Sequence, residues 1–257
     1  MNKGYAVVTG ASSGLGLEFA KQLAQKGYNL VLVARRTGRL EQNKSVIQQS
    51  FGVEVHVVSL DLATTDAPEK LLKYTQDNGL TVSVLINNAG FGVYGNFLDV
   101  PIEKTMEMLQ LNMLTLTKLS WLFGREMKIN GNGYILQVSS LGAFQPSPLF
   151  SAYSATKAYV MLLSEAIDFE LKGSGVSVTT LYPGATQTEF FDVAKNKLNP
   201  LVSTTLMTPE VVSNTALKAM FKRERSITPG LIYKFSAFLT RFTPRDFAIW
   251  MAHRLMK

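Results

Sequence analysis

The stretch YAVVTGASSGLG, Tyr5 to Gly16, decides how the rest of the chain is read. An apolar run of strand length passes into a turn holding Gly10, Gly14 and Gly16, and a helical pattern follows from Gly14 to about Lys26. Glycines at such a turn let the backbone bend tightly and approach a pyrophosphate, while the free N–H groups of the helix start supply donors and positive potential. The spacing G-x-x-x-G-x-G departs from the common dinucleotide pattern G-x-G-x-x-G and lacks the G-K-[ST] ending of an NTPase phosphate loop. A plain tight turn is the competing reading. The position of the turn after the first strand favours a cofactor loop, with Gly10, Ser12, Ser13, Gly14, Leu15 and Gly16 against the ligand.

Working outward, strand-length apolar runs alternate with helical patterns through most of the chain. NLVLVAR is followed by a helix near Leu40 to Gln49, VEVHVVSLD by one near Pro68 to Gln76, and SVLINNAG by a long one near Glu103 to Lys128. GYILQVSS precedes a helix containing Tyr153, and VSVTTLYPG an irregular segment, a helix near Pro209 to Arg223 and the short run SITPG. Continuous Val/Ile/Leu strands, each followed by a helix, imply an α/β doubly wound fold: a Rossmann-type sheet of about seven parallel strands with helices on both faces. No repeat or Pro/Ser linker breaks the pattern, so residues 1–230 are expected to form one domain, with 231–257 as a C-terminal helical extension. Ligands bind such sheets beyond the carboxyl ends of the strands. Those ends carry small and polar residues here: TGASSGLG, VARR, SLDL, NNAG, VSSLG and YPGATQT.

Composition removes several function classes. The chain has no cysteine, which excludes disulfides, thiolate catalysis and cysteine-bound zinc. Its two histidines, His56 and His253, are too few and too far apart in sequence for a Ser-His-Asp site or a histidine metal centre, and His56 in a strand pattern reads as structural. The first residues show no secretory signal and no run reaches the length of a membrane span, so a cytoplasmic location is expected. The formal charge of +7 resides in the tail: residues 218–257 hold nine Lys or Arg against two acids, and the first 217 residues are balanced, 17 against 17. A nucleic-acid partner is therefore not expected.

At the tip of the second strand an NAD site calls for a carboxylate to bind the ribose hydroxyls. Ala34 stands there instead, followed by Arg35 and Arg36, whose guanidinium groups suit the extra phosphate of NADP; a solvated pair of loop charges is the alternative. In YSATKAY, Tyr153 and Lys157 lie four residues apart and share one helix face. An ammonium in a nearly chargeless helix calls for a reason.

Together these motifs resemble the short-chain dehydrogenase/reductase family, in its compact single-domain branch, over about residues 4–230. The resemblance rests on TGASSGLG, Asp61-Leu62, NNAG from Asn87 to Gly90, Asn112, Ser140, YSATK and PGATQT from Pro183 to Thr188. Ser139 and Ser140 are both candidates until the family spacing, thirteen residues before the tyrosine, selects Ser140. The resemblance implies an NAD(P)-dependent oxidoreductase in which Tyr153 donates the proton and Ser140 hydrogen-bonds the substrate oxygen. Lys157 would lower the tyrosine pKa and hold the nicotinamide ribose, while Asn112 would anchor a water linking Lys157 to solvent. It also implies Asn88, Ala89 and Gly90 on the adenosine side, Asp61 and Leu62 at the adenine, and Pro183, Gly184 and Thr188 at the nicotinamide face. Asp61 has a competing role as a helix cap, and Asn112 as an amide bonded to backbone. Lowering a phenol by about three pKa units requires roughly 4 kcal/mol, which an ammonium about 4 Å away supplies at an effective dielectric of about 20. Burial opposes this, so the margin is thin. Arg35 and Arg36 make NADP the preferred cofactor, but NADP-dependent relatives often carry Lys or Arg where Ser13 stands, so NAD remains open.

Phe91, Tyr94, Phe97, Leu141, Phe144, Phe150, Phe190 and Phe191 are expected over the nicotinamide, which suits an apolar carbonyl or alcohol substrate. The basic, aromatic tail is read as docking on its own domain or a neighbour, with peripheral contact to an anionic membrane as the second reading. The long helices near Glu103 and Ser151, apolar nearly all round, point to a homodimer or homotetramer. A dinucleotide-binding scaffold without turnover is the alternative to an enzyme.

Overall fold

In the computed structural model, which describes residues 3–194 and 199–256, the apolar runs join into one parallel sheet. Its seven strands run in the order β3-β2-β1-β4-β5-β6-β7. They are β1 (Tyr5–Thr9), β2 (Asn29–Ala34), β3 (Val55–Ser59), β4 (Val82–Asn87), β5 (Gly133–Val138), β6 (Val176–Leu181) and the short β7 (Ser226–Ile227). The helices between them are α1 (Gly14–Gln25), α2 (Thr37–Phe51), α3 (Ala67–Asp77), α4 (Ile102–Leu109), α5 (Leu116–Ile129) and α6 (Ser151–Glu170). Beyond β6 come α7 (Phe190–Val193), α8 (Pro200–Ser203) and α9 (Pro209–Phe221), and after β7 the tail forms α10 (Leu231–Leu239) and α11 (Arg245–Met256).

Strand alternation divides the core in two. Ala6 and Val8 of β1 pack with Phe19 and Leu23 of α1 and Leu217 of α9, while Tyr5 and Val7 face Leu71 of α3 and Leu119 and Phe123 of α5. Both faces of the central strands are therefore covered by apolar helix stripes, which is why those strands read as unbroken hydrophobic runs. Val7 pairs with Val31 on one side and Leu85 on the other. Because the chain crosses from β3 back over β1 to β4, the loops leaving β1 and β4 diverge and open a crevice at the carboxyl ends.

Two sequence expectations change. The helix expected from Glu103 to Lys128 is interrupted by a π-helical turn, Gln110–Thr115, between α4 and α5. Within it the Asn112 amide is fastened to the loop after β4: Nδ2 donates to the Phe91 carbonyl (2.9 Å) and Oδ1 accepts from the Phe91 N–H (3.2 Å). The helix expected from Leu40 starts three residues earlier, at Thr37, and runs to Phe51, where Gly52 at φ 65° ends it. The tail is tied to its own chain. Tyr233 Oη donates to the Thr205 carbonyl (2.8 Å), Tyr94 Oη donates to the Met256 carbonyl (3.1 Å), and the Tyr233 ring lies on the bare backbone of Gly184.

Gly16 sets the spacing between α1 and the sheet, since a Cβ there would overlap the Gly10 carbonyl and come within 2.6 Å of Asn88 Nδ2. Gly16→Ala should lower the unfolding free energy by about 1–3 kcal/mol in a denaturant titration. Gly38→Ala, in a helix with open space around it, should be neutral or up to about 1 kcal/mol more stable.

Candidate active site

The crevice begins at the glycine turn. Gly10 (φ 69°) and Gly14 (φ 55°) occupy the left-handed region that side chains avoid, whereas Gly16 is needed for space. Asn88 secures this turn from the β4 side: its Nδ2 donates to the Thr9 carbonyl (2.9 Å), and its N–H donates to Thr9 Oγ1 (2.9 Å). The Asn88 amide, expected on the adenosine side of a ligand, is thus committed to shaping the loop, although the residue still lines the cavity with Ala89 and Gly90. Gly16 lies beneath the turn and outside the cavity lining; Gly10, Ser12, Ser13, Gly14 and Leu15 are part of it.

Arg35 and Arg36, read from sequence as a pair, diverge. Arg35 turns toward Glu107 (3.5 Å) and Asp61 (4.0 Å). Arg36 folds over the glycine turn, donating to Ser12 Oγ (2.9 Å) and Ser13 Oγ (2.8 Å), and pairs with Glu189 (2.9 Å). Glu189 also accepts from Arg39 (2.5 Å) and from Ser13 Oγ (3.0 Å). Bonds from Arg39, then Arg36, then Ser13 pull its carboxyl down to about 2. Asp61 does not cap α3, whose N-cap position is Asp66; its Oδ1 accepts from the Ala63 N–H (3.0 Å) in the turn after β3, and it lines the crevice beside Leu62. Leu62 is fixed by Thr115 Oγ1, which donates to its carbonyl (2.7 Å).

At the other end, α6 delivers Tyr153 and Lys157 to the tip of β5. Lys157 is buried and its Nζ donates to the Val138 carbonyl (2.8 Å), lying 5.6 Å from the centre of the Tyr153 ring. The two adjacent serines separate cleanly: Ser139 Oγ is buried and donates to the Lys157 carbonyl (2.8 Å), while Ser140 shares the cavity wall with Tyr153, close enough to pull the phenol pKa down. Ser140 Oγ also accepts from the Gly142 N–H (3.1 Å), which fixes its direction. Asn112 does not reach the cavity. It stands behind Gly90, bonded to Phe91 and to Thr156 Oγ1 (3.3 Å), so its side-chain amide is occupied by protein.

Electrostatics here differ from the sequence expectation. Burial pushes the Tyr153 phenol up to about 12, with the Ser140 hydrogen bond pulling the other way, and lowers the Lys157 ammonium to about 8. In the protein without a ligand, desolvation outweighs the lysine field that was expected to lower the phenol. The neighbourhood of the two groups is as expected; the net direction is not.

These ends belong to one cavity of about 670 Å³, reaching from Arg35 and Asp61 to Ser140 and Tyr153, with Pro183, Gly184, Thr188, Phe91, Leu141, Phe144, Phe150, Phe190 and Phe191 also on its wall. Tyr94 and Phe97 fall outside it; Tyr94 holds the C-terminus and Phe97 is exposed. The residues present fit a dinucleotide. Bare backbone lines the floor, because a Cβ at Gly14 would meet Thr188 at 3.2 Å and one at Gly90 would meet Asn112 Oδ1 at 2.9 Å and Lys157 Nζ at 3.7 Å.

The model of the short chain dehydrogenase family matches residues 4–199. The chain belongs to the short-chain dehydrogenase family. Like other members it is an NAD(P)-dependent oxidoreductase with a Rossmann-type sheet. It is 32% identical to the human very-long-chain 3-oxoacyl-CoA reductase over 226 residues, 86% of this chain and 70% of that protein. A solved short-chain dehydrogenase from Sphingobium yanoikuyae in complex with NADPH superposes with a TM-score of 0.83 at 30% identity, covering 93% of each chain. A 7β-hydroxysteroid dehydrogenase structure superposes with a TM-score of 0.86 at 28% identity, covering 97% of this chain and 96% of that one.

The family frame does not account for every wall of the cavity. Glu189, paired with Arg36 and Arg39, closes over the glycine turn, and Tyr233 and Ala237 of α10, Thr240 just beyond it, and Leu255 and Met256 of α11 line the far side. Sequence reasoning had no means of bringing Glu189 to Arg36, 153 residues away, or of folding the tail over the cavity.

Lys157 yields a pH prediction. Its folded pKa of about 8 lies below its ordinary 10.5, so between those values the unfolded chain holds a proton that the folded chain has released. Stability therefore rises with pH from about 8 to 10, and Lys157→Met should remove that rise in urea titrations at successive pH values. A wild-type and a variant protein with parallel pH profiles would mean that the lysine is not desolvated.

Proposed function

We propose that the protein is an NADP-dependent carbonyl reductase acting on a bulky apolar ketone or the corresponding alcohol, with Tyr153 as the acid and base. The observation that carries this reading is the convergence of Ser140, Tyr153 and buried Lys157 at the aromatic end of a cavity whose other end holds Arg36 and Glu189, with Arg39 paired to Glu189 behind them. When bound, the dinucleotide supplies or accepts the hydride. Tyr153 gives its proton to the carbonyl oxygen, and Ser140, on the same stretch of cavity wall, hydrogen-bonds the same oxygen and orients it. Lys157, pulled down only to about 8, keeps most of its charge at neutral pH and so opposes the burial that raises the phenol. Asn112 acts from behind the site, holding the loop after β4 through Phe91 and α6 through Thr156.

Two guanidinium groups, Arg36 and Arg39, face the single carboxylate of Glu189, so net positive charge remains where NADP carries its additional phosphate. The NADPH complex of the Sphingobium relative supports the same preference. A bulky apolar substrate agrees with the Phe91, Phe144, Phe150 and Phe190 wall and with relatives named for 3-oxoacyl-CoA and steroid substrates. Leu114 and Trp121, and Leu162 and Phe169 on α6, are exposed at seven-residue spacing; these stripes are the support for a homodimer built on α5 and α6.

Tyr153→Phe should lower turnover of apolar ketones by about 10²–10⁴-fold while leaving NADPH affinity essentially unchanged. An unaltered rate would remove the tyrosine from the mechanism. Since Glu189 competes with a phosphate for Arg36, Glu189→Gln should tighten NADPH about tenfold relative to NADH in fluorescence titrations. Equal changes for both cofactors would refute that competition.

A further inference from the structure

The tail helices turn their apolar stripes away from the protein. Along α10 and just beyond it, Leu231, Phe235, Phe238 and Phe242 recur at intervals of four, three and four residues and are exposed, Leu231 by 86% and Phe242 by 72%. The opposite side of the same helix, with Tyr233, Ala237 and Thr240, lines the cavity. No residue of α10 is buried. In α11 the pattern repeats: Ala248 and Ala252 are buried, while Phe247 and Trp250 stack on each other in the open at 5.8 Å. An amphipathic surface helix of a soluble domain ordinarily has the reverse arrangement. The exposed stripes are flanked by Lys234, Arg241, Arg245 and Arg254, against Asp246 alone, and Arg254 lies over the Trp250 ring at 5.1 Å.

We propose that α10 and α11 form a docking surface for an anionic lipid bilayer, lying in the headgroup region without crossing it. Aromatic and aliphatic groups at one level with basic groups at their margin are the composition of an interfacial helix. No helix among the described residues is long and apolar enough to cross a membrane. Charge selects the occupant. A second copy placed symmetrically on this face would set Lys234, Arg241, Arg245 and Arg254 against the same four cations, with a single aspartate on each side to offset them. An anionic surface satisfies all four at once. The inner sides of the docked helices are the wall of the substrate end of the cavity, so the surface that meets lipid is one helix thick from the place where an apolar substrate would bind.

The test uses the full chain carrying Trp121→Phe, which leaves Trp250 as the reporter, since the sequence has two tryptophans. Vesicles of phosphatidylcholine with phosphatidylglycerol should pellet the protein and shift Trp250 emission to the blue, and added salt should reverse both. Lys234→Glu with Arg241→Glu, at exposed positions that leave the fold untouched, should weaken partitioning about tenfold or more. Phe242→Ser with Phe247→Ser should abolish it, with unchanged circular dichroism as the control for folding. Absence of pelleting and of any emission shift would overturn the proposal. So would equal association with pure phosphatidylcholine, or a vesicle-insensitive dimer that the Phe242→Ser/Phe247→Ser variant dissociates, which would assign the surface to a second copy.

Discussion

The withdrawal of the Lys157 ammonium from water is the constraint around which the site is arranged. Its Nζ is anchored on the Val138 carbonyl at the end of a central strand, and its own carbonyl receives Ser139, so helix and strand are stitched together at the charge. A positive charge acts strongly on a neighbour only where water is excluded. The same exclusion raises the phenol, and the two effects share one cause. The site therefore cannot gain a stronger lysine field without a higher intrinsic tyrosine pKa, and Ser140 pulls the phenol in the opposite direction to burial. Ser140 is itself held by the Gly142 N–H, which fixes where its hydroxyl lies on the cavity wall.

The opposite end of the cavity follows a different logic. Backbone occupies the floor because Gly10, Gly14 and Gly16 permit it, and side-chain charge is confined to the rim. There Glu189 joins the segment after β6 to the arginines after β2 and to the glycine turn through Ser13. Phe190 and Phe191 follow Glu189 directly and line the substrate end. One carboxylate thus ties the segment that carries Phe190 and Phe191 to the arginines after β2 and to the glycine turn.

Much of this was legible in the sequence, for identifiable reasons. Parallel strands covered on both faces leave unbroken apolar runs, so the sheet could be read, and Tyr153 with Lys157 could be paired because four residues on a helix fix a shared face. What depended on long-range packing was not legible. The split between Arg35 and Arg36 is decided by Asp61, Glu107 and Glu189, all distant in sequence. The π turn at Gln110–Thr115 has no pattern of its own in a run of good helix formers, and Asn112 hides its purpose until Phe91 is placed beside it. The direction of the Tyr153 shift required knowledge of burial, which outweighs a contact that sequence alone makes look dominant.

Periodicity marked the tail as amphipathic but carried no information about which side would meet the protein. The fold settles this by the residues small enough to approach. Gly184 accepts the Tyr233 ring against its backbone, and Ala248 and Ala252 let α11 lie close. Bulky groups such as Phe235, Phe238 and Trp250 have no comparable recess and are left outside. Residues 231–257 hold five Lys or Arg against one acid, more than half of the chain's net charge of +7. Exposed apolar groups and excess positive charge therefore coincide on one side of the molecule, beside the aromatic end of the cavity, while the dinucleotide rim at Arg36 and Glu189 lies at the other end. That polarity orients the protein: a surface that attracts the tail brings the substrate end toward it and leaves the cofactor end facing water.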